Sequence, residues 1–409
     1  MPKNSLPEKQ IQNNPLESHL RTFASWLLES GYRNNTVQGK LYLLADFGWW
    51  FGRSRRTASH IDELLVNAFV KHKRRVHGGA LKTLQQFLDH LRKHAVVPDQ
   101  KQVRDLRDQS PWADILSRYE KHLRSERGLV TTTISSYSSF IRKFLVEHFQ
   151  QGDFLLTEAK ASDISDFILR HAPGMSVAVA RRTATAFRSF FRFLLQEGEL
   201  RTDLAAAVPP VADWRGATLP KFLAPDKVKR VLEACDRRTA AGRRDYAILL
   251  LLARLGLRAG EVVGLRLEDI NWRCGEILVR GKGLLHDRMP LPADVGEALA
   301  AYLHRSRPAC QTRRVFVCMQ APRRALAQSS TLSAIVRRAL ARADLDPPSK
   351  GAHLLRHSLA TSMLRSGATM GEIGEVLRHR DPNTTEIYAK VDFDSLRSLA
   401  QPWPMGGAQ

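Results

Sequence analysis

The stretch GAHLLRHSLATSML, beginning at Gly351, carries three side chains that could act on one centre. His353 and Arg356 are three residues apart and His353 and His357 four apart, so on a helix all three share a face. Two chemistries fit such a face. Paired imidazoles at this spacing could hold zinc, but a helical zinc hydrolase carries glutamate directly after its first histidine. That position is Leu354 here, and the sequence offers no evident third ligand. The other chemistry is transfer of a phosphodiester without metal. Charge then grows on the non-bridging oxygens, which calls for planar bidentate cations. A nucleophile with a base beside it and an acid for the departing oxygen complete the requirement.

The same C-terminal region supplies candidates for each part. ARLGLRAGEVVGLRLEDINW sets Arg258 just after a Gly-Leu break and ahead of a new helix, with Glu261 one turn along to hold the guanidinium. VRGKGLLHDRMPLP reads as a β-hairpin with Lys282 between Gly281 and Gly283 in its turn. LRHRDPNTTEIYAKV contributes Tyr388, with His379 nine residues before it. Taken singly, each has an ordinary reading: a solvated arginine at a helix start, a turn lysine, a packing tyrosine.

Elements to position these residues can be read around them. Thr369 and Glu372 form a capping box, Ile373, Val376 and Leu377 make the buried stripe of the helix that follows, and Asp381-Pro382 cap and open a further short helix bearing Tyr388. Upstream lie APDKVKRVLEAC and RRDYAILLLLARLG, helical by pattern, then the β-like patch GEILVRGKGLLHDRMPLP. The fold class expected is mainly α with a small antiparallel β-sheet in the C-terminal domain. Two helical segments precede it, one from about Leu16 to Val97 and one from about Trp112 to Val208. Apolar residues recur in them at helical spacing, as in Leu84, Phe87, Leu88, Leu91 and Phe187, Phe190, Phe191, Leu194. In both, a glycine ends a helix (Gly31, Gly128) and a Thr with a β-branched residue opens the next (Thr36-Val37, Thr133-Ile134), so the segments read as weak copies of one four-helix unit. The boundaries expected are a flexible tail at 1–15, a first module at 16–105, a second at 106–212, a linker at 213–221, a C-terminal domain at 222–392 and a tail at 393–409.

Composition bounds the partner. A chain of 409 residues with 63 Lys and Arg against 41 Asp and Glu carries a formal charge of +22, which suits a polyanion, nucleic acid above all. The longest apolar run, AILLLLARLGL, is interrupted by Arg254 and too short to span a bilayer, and the N-terminus has no apolar signal core, so no membrane partner and a cytoplasmic location are expected. Cys235, Cys274, Cys310 and Cys318 form no metal-type pair. In FGWWFGRSRRT, Trp49 and Trp50 are expected in the core beneath a basic rim rather than stacked on bases.

Taken together, the order Arg258, Lys282, His353, Arg356, His379, Tyr388 resembles the tyrosine recombinase family: phage integrases, Xer-type resolvases and recombinases of mobile elements. GLRAGEVVGLRLEDI is similar to the family's first box, and HLLRHSLATSMLRSGA with EVLRHRDPNTTEIYAKV to its second. The resemblance spans roughly Leu219 to Val391, and more loosely Trp112 to Val208, which is similar to the family's helical core-binding domain. It implies site-specific cutting and rejoining of DNA through a 3′-phosphotyrosyl intermediate, with no cofactor, metal or ATP. Tyr388 would attack the phosphate, His353 would serve as base, Arg258 and Arg356 would clamp the oxygens with His379 as hydrogen-bond donor, and Lys282 would protonate the leaving 5′-oxygen.

The resemblance further implies double-stranded DNA with specific sites and a homo-oligomer, a tetramer on paired sites, with Leu396, Leu399 and Trp403 of the tail packing on a neighbouring protomer. Other recombinases or accessory proteins could join it. Two departures stand out. Arg378 occupies a place where the family often has glycine, and is expected to contact DNA or tighten phosphate binding. The module at 16–105 exceeds the minimal pattern and would grip an outer DNA arm or a partner subunit. The rival readings are a non-catalytic accessory DNA-binding protein and an enzyme like the type IB topoisomerases.

Overall fold

A computed structural model describes residues 8–54, 56–73, 79–98, 110, 112–148, 159–212, 219–281 and 286–391. Lys282, most of the 213–221 linker and the tail with Leu396, Leu399 and Trp403 lie outside the described residues. The chain divides into two compact units. One joins residues 1–87 to 216–409 and the other comprises 88–215. The first helical module therefore groups with the C-terminal region rather than with its apparent copy.

In the first unit the N-terminal part consists of α1 (Glu8–Ile11), α2 (Glu17–Glu29), α3 (Asn34–Gly52), α4 (Glu63–His72) and the start of α5 (Ala80–Lys93). Its core is apolar and aromatic: Phe23, Leu27, Leu41, Leu44 and Phe47 are buried, and the Phe23 and Phe87 rings meet edge to face at 5.3 Å. Gly31 adopts a left-handed φ of +83° between α2 and α3, and Val37 beyond it is buried. The segment read as a tail begins its packing early. Ile11 is buried, and the buried Asn14 donates its side-chain N–H to the Ala45 carbonyl at 2.9 Å. Gly48 permits that approach, since a Cβ there would lie 2.1 Å from Asn14 Oδ1. The two tryptophans part company, because adjacent helical residues point about 100° apart. Trp50 packs against Phe47 and Phe69, as expected, whereas Trp49 is 47% exposed on the outer face.

The second unit holds α6 (Ala113–Ser125), α7 (Thr131–His148), α8 (Ala161–His171) and α9 (Val177–Gln196). Ile134, Phe144, Phe167, Phe187, Phe190, Phe191 and Leu194 form its core, and Phe144 meets Phe167 and Phe187 edge to face at 5.4 and 5.3 Å. Gly128 precedes α7 with φ +59°, as Gly31 precedes α3.

The C-terminal region is built round α11 (Ala240–Arg254), preceded by α10 (Pro225–Glu233). Residues Ala247 to Ala253 of α11 are buried without a break, so AILLLLA is a helix wrapped on every side by protein. Thr239 caps it by accepting from Gly242 N–H at 3.0 Å. Short α12 (Ala259–Gly264) follows, then β1 (Ile270–Asn271), β2 (Glu276–Arg280) and β3 (His286–Pro290), which form an antiparallel sheet in that order. Ile277 and Val279 face inward on alternate positions of β2. Arg280 pairs with His286, and an Arg280–Asp269 ion pair at 2.6 Å clamps the base of the connection that contains Lys282. Four helices complete the region: α13 (Ala293–Arg305), α14 (Ser329–Arg342), α15 (His353–Arg365) and α16 (Met370–Leu377). α11 packs against α13 and α15. Two 3-10 turns, Pro382–Thr384 and Glu386–Val391, end the described chain. The protein is mainly α with one small antiparallel sheet.

Candidate active site

α15 is the platform. His353 opens it at the surface, Arg356 faces inward one turn later, and His357 follows half-buried. Arg356 is buried, which alone lowers its pKa, and the nearby Arg258 and Arg378 bring it to about 10; it remains charged at neutral pH. Main-chain oxygens balance that burial. Arg356 Nη1 donates to the Gly256 carbonyl and Nη2 to the Leu377 carbonyl. Gly256 must be glycine for this packing. Its φ is +57°, and a Cβ would stand 2.6 Å from Leu377 Cδ2.

Arg258 sits at the N-cap of α12 and is held from two sides. Its backbone N–H donates to Glu261 Oε2 at 2.8 Å and its Nη1 to Oε1 at 2.9 Å, while Nη2 reaches the Arg378 carbonyl at 3.4 Å. Its side chain stays 40% exposed. Burial would raise the Glu261 carboxyl, but Arg378 and then the bonds from Arg258 outweigh it and hold the pKa below the usual value.

α16 begins with the expected capping box, Thr369 and Glu372 bonding reciprocally, and buries Ile373 and Leu377. It ends at Arg378 in the left-handed conformation, φ +54° and ψ +49°. That is the conformation glycine adopts most readily at a helix end. The arginine side chain is turned inward, 8% exposed, and its Nη2 donates to Glu261 Oε2 at 2.7 Å. Its guanidinium is thus engaged beneath Arg258. Two guanidiniums, Arg258 and Arg378, pair with one buried carboxylate, and Arg356 lies within its electrostatic reach, leaving a local surplus of positive charge.

His379 follows the turn. Its Nδ1 pairs with Thr385 Oγ1 at 2.8 Å, and its pKa falls to about 4, first through burial and then through Arg356 and Arg258. It is neutral at physiological pH. In the tautomer where Thr385 donates to Nδ1, the ring proton lies on Nε2 and can be donated. Asp381 caps the first 3-10 turn by accepting from Asn383 N–H.

Tyr388, on the second turn, is 1% exposed, and burial pushes its pKa up to about 12. Its hydroxyl and His357 Nδ1 are 2.8 Å apart. Partial burial, then Arg356 and Arg258, lower the pKa of His353; partial burial, then His353 and Arg356, lower that of His357. The structure thus gathers Arg258, Arg356, His379, Tyr388, Glu261 and Arg378, with His353 at the head of the same helix. Sequence reasoning passed over His357, weighed there only as half of a zinc pair, and Thr385. His357 meets a partner 31 residues away, and Thr385 meets one six residues away across a turn, a spacing that carries no helical or strand periodicity. The His353 and His357 rings stand 6.3 Å apart between centroids. Among the described residues no cluster of three His, Cys, Asp or Glu could hold a metal ion, and no helix is long and apolar enough to cross a membrane.

Residues 221–395 match the model of the phage integrase family, and residues 116–198 that of the phage integrase N-terminal SAM-like domain. Over 97% of this chain and 96% of the relative, 42% of residues are identical to a Sinorhizobium fredii protein named "Putative integrase/recombinase y4rA". The tyrosine recombinase XerD of Mycobacterium tuberculosis is 33% identical over 69% of this chain and 95% of its own length. The chain belongs to the phage integrase family of tyrosine recombinases, enzymes that carry out site-specific DNA recombination by cutting and rejoining strands. Solved structures share the fold. XerH bound to its difH substrate after cleavage aligns with a TM-score of 0.57 at 24% identity, over 70% of this chain and 84% of that one. A lambda integrase tetramer on a Holliday junction aligns at 0.52 and 20%, over 77% and 87%.

Proposed function

We propose that this recombinase cleaves DNA with Tyr388 as nucleophile, forming a 3′-phosphotyrosyl bond and releasing a 5′-hydroxyl. Arg258 and Arg356 bind the non-bridging oxygens, His379 donates from Nε2, His353 assists proton transfer, and Lys282 protonates the leaving oxygen. Glu261 orients Arg258, and Arg378 adds charge from below rather than reading bases. The observation that carries this reading is the turn at Leu377 and Arg378, whose successive carbonyls accept from Arg356 and Arg258. Tyr388 lies ten residues further along the same short segment. Phosphodiester hydrolysis is among the slowest uncatalysed reactions, so preorganised cations are a fitting main source of acceleration.

The tyrosyl ester conserves the bond energy, so joining to a new strand needs neither ATP nor metal. Double-stranded DNA carrying recombination sites is the proposed partner, met in the cytoplasm. The module at 106–212 grips the core site, and the module at 16–105 holds an outer arm or a neighbouring subunit. A tetramer on paired sites is the proposed assembly, in keeping with the lambda integrase complex.

The test is a covalent trap. Labelled duplexes cut from DNA flanking the gene should yield a protein–DNA adduct that survives EDTA and disappears in Tyr388→Phe. An adduct formed by Tyr388→Phe, or none formed by the natural chain on any duplex, would overturn the assignment. Plasmid relaxation without paired sites would favour topoisomerase-like action instead.

A further inference from the structure

The resting partner of Tyr388 is His357, one turn beyond the histidine that family resemblance singles out. The phenolic oxygen and His357 Nδ1 are 2.8 Å apart, and the rings are tilted by 58° with centroids 5.7 Å apart. The phenol is enclosed, with 1% of its surface exposed. His353 instead lies on the exposed face at the first position of α15.

A phenol attacking phosphorus must lose its proton as the O–P bond forms, and a base must lie within hydrogen-bond reach at that moment. The proton of Tyr388 is hard to remove, since burial of the ring favours the neutral form. His357 lies within that reach, its Nδ1 2.8 Å from the phenolic oxygen. We propose that His357 is the catalytic base of strand cleavage, accepting the Tyr388 proton at Nδ1 and returning it on religation. This rests on Tyr388 being the nucleophile.

The step balances. The phenolic oxygen bonds to phosphorus, its proton passes to His357 Nδ1, the P–O5′ bond breaks, and the departing oxygen takes a proton from the general acid. In religation the 5′-hydroxyl attacks phosphorus and returns its proton to the deprotonated general acid, the tyrosyl O–P bond breaks, and imidazolium re-protonates the phenolate. The charged and titratable groups facing His357 among the described residues are His353, Arg356, His379 and Tyr388. With partial burial, the first two keep the imidazole neutral near pH 7, free to accept a proton.

The experiment uses the full chain and the duplex that forms the adduct, prepared with either oxygen or sulfur at the bridging 5′ position. A thiolate leaves without an acid, so sulfur rescues a missing general acid but not a missing base. His357→Gln should slow adduct formation by about 10²–10⁴-fold on both duplexes. In His357→Gly, added imidazole should restore a good part of the rate, which a purely structural role would not allow. Melting curves and duplex binding by the variants check that the fold persists. The pH profile gives an independent reading: the cleavage rate should fall as acid protonates His357, and an acid limb left unchanged in His357→Gln would overturn the proposal. So would a His357→Gln rate within about threefold of the natural chain, or full rescue by sulfur, since general-base loss costs far more. An adduct formed by Tyr388→Phe would instead overturn the nucleophile, a separate failure.

Discussion

The Arg378–Glu261 pair can be measured by a double-mutant cycle whose four corners differ in sign and size. Both side chains are buried, 8% and 5% exposed, and bonded at 2.7 Å. Arg378→Gly relieves a left-handed arginine, worth about 1–2 kcal/mol, and gives up a charged hydrogen bond worth about 1.5–3 kcal/mol. Glycine also frees the unfolded chain by about 0.5–1 kcal/mol. The net expectation is a destabilisation of about 1 kcal/mol, small because the terms oppose. Glu261→Gln alone is harsher. It strands a buried guanidinium, at a cost of about 3–5 kcal/mol.

In the Arg378→Gly background the same change meets only Arg258, 40% exposed and solvated, and should cost no more than about 1 kcal/mol. The coupling energy is therefore about 2–4 kcal/mol, read by urea unfolding of the four proteins at pH 7. Additivity within about 0.5 kcal/mol would refute the reasoning, because groups in true contact do not add. A stabilised Arg378→Gly would show that backbone conformation outweighs the ion pair.

Other consequences follow from the same geometry. The His379 pKa is about 4 in the folded protein against an unfolded value near 6.5, so its stabilisation is complete above pH 6.5. That stabilisation is lost as pH falls towards 4; unfolding at pH 7, 5.5 and 4.5 should show an acid-side drop, about 1–2 kcal/mol after solvent screening of this half-buried ring, that shrinks in His379→Asn. Gly256→Ala meets both a left-handed φ and the Leu377 side chain, and should cost about 2–4 kcal/mol with parallel loss of adduct formation; unfolding and trapping assays check it. Phe144→Ala empties the aromatic core of the second unit and should cost about 3–5 kcal/mol, seen as an earlier unfolding transition.

Features set by neighbours three or four residues apart were legible in the sequence. The contact of Arg258 with Glu261 and the capping box of Thr369 with Glu372 are such features, and the structure forms both. The inward alternation of β2 and the buried stripes of Phe187 to Leu194 follow from periodicity in the same way. Pairings made across the fold were not legible. His357 and Tyr388 are 31 residues apart, and Arg356 and Gly256 100 apart, so their contacts depend on how α11, α15 and the last turns pack. Arg378 was visible as an oddity, but its direction was hidden. Nothing local says that a left-handed arginine will fold inward onto a carboxylate 117 positions away. The split between Trp49 and Trp50 was missed for a simpler reason, since one shared environment was assigned to adjacent helical residues that face different ways.

Three main-chain carbonyls, those of Gly256, Leu377 and Arg378, hold the two arginines that face the proposed phosphate. Every residue has a carbonyl, so what natural selection must preserve at position 378 is a pair of dihedral angles rather than a side chain. Glycine and arginine can both hold that turn, with arginine alone adding the ion pair to Glu261. The arginine posture can then be inherited through sequence drift that would erase any side-chain clamp. Among uncharged residues, a substitution scan of position 378 should accordingly rank by tolerance for left-handed backbone, with Gly and Asn above Val and Ile, rather than by size.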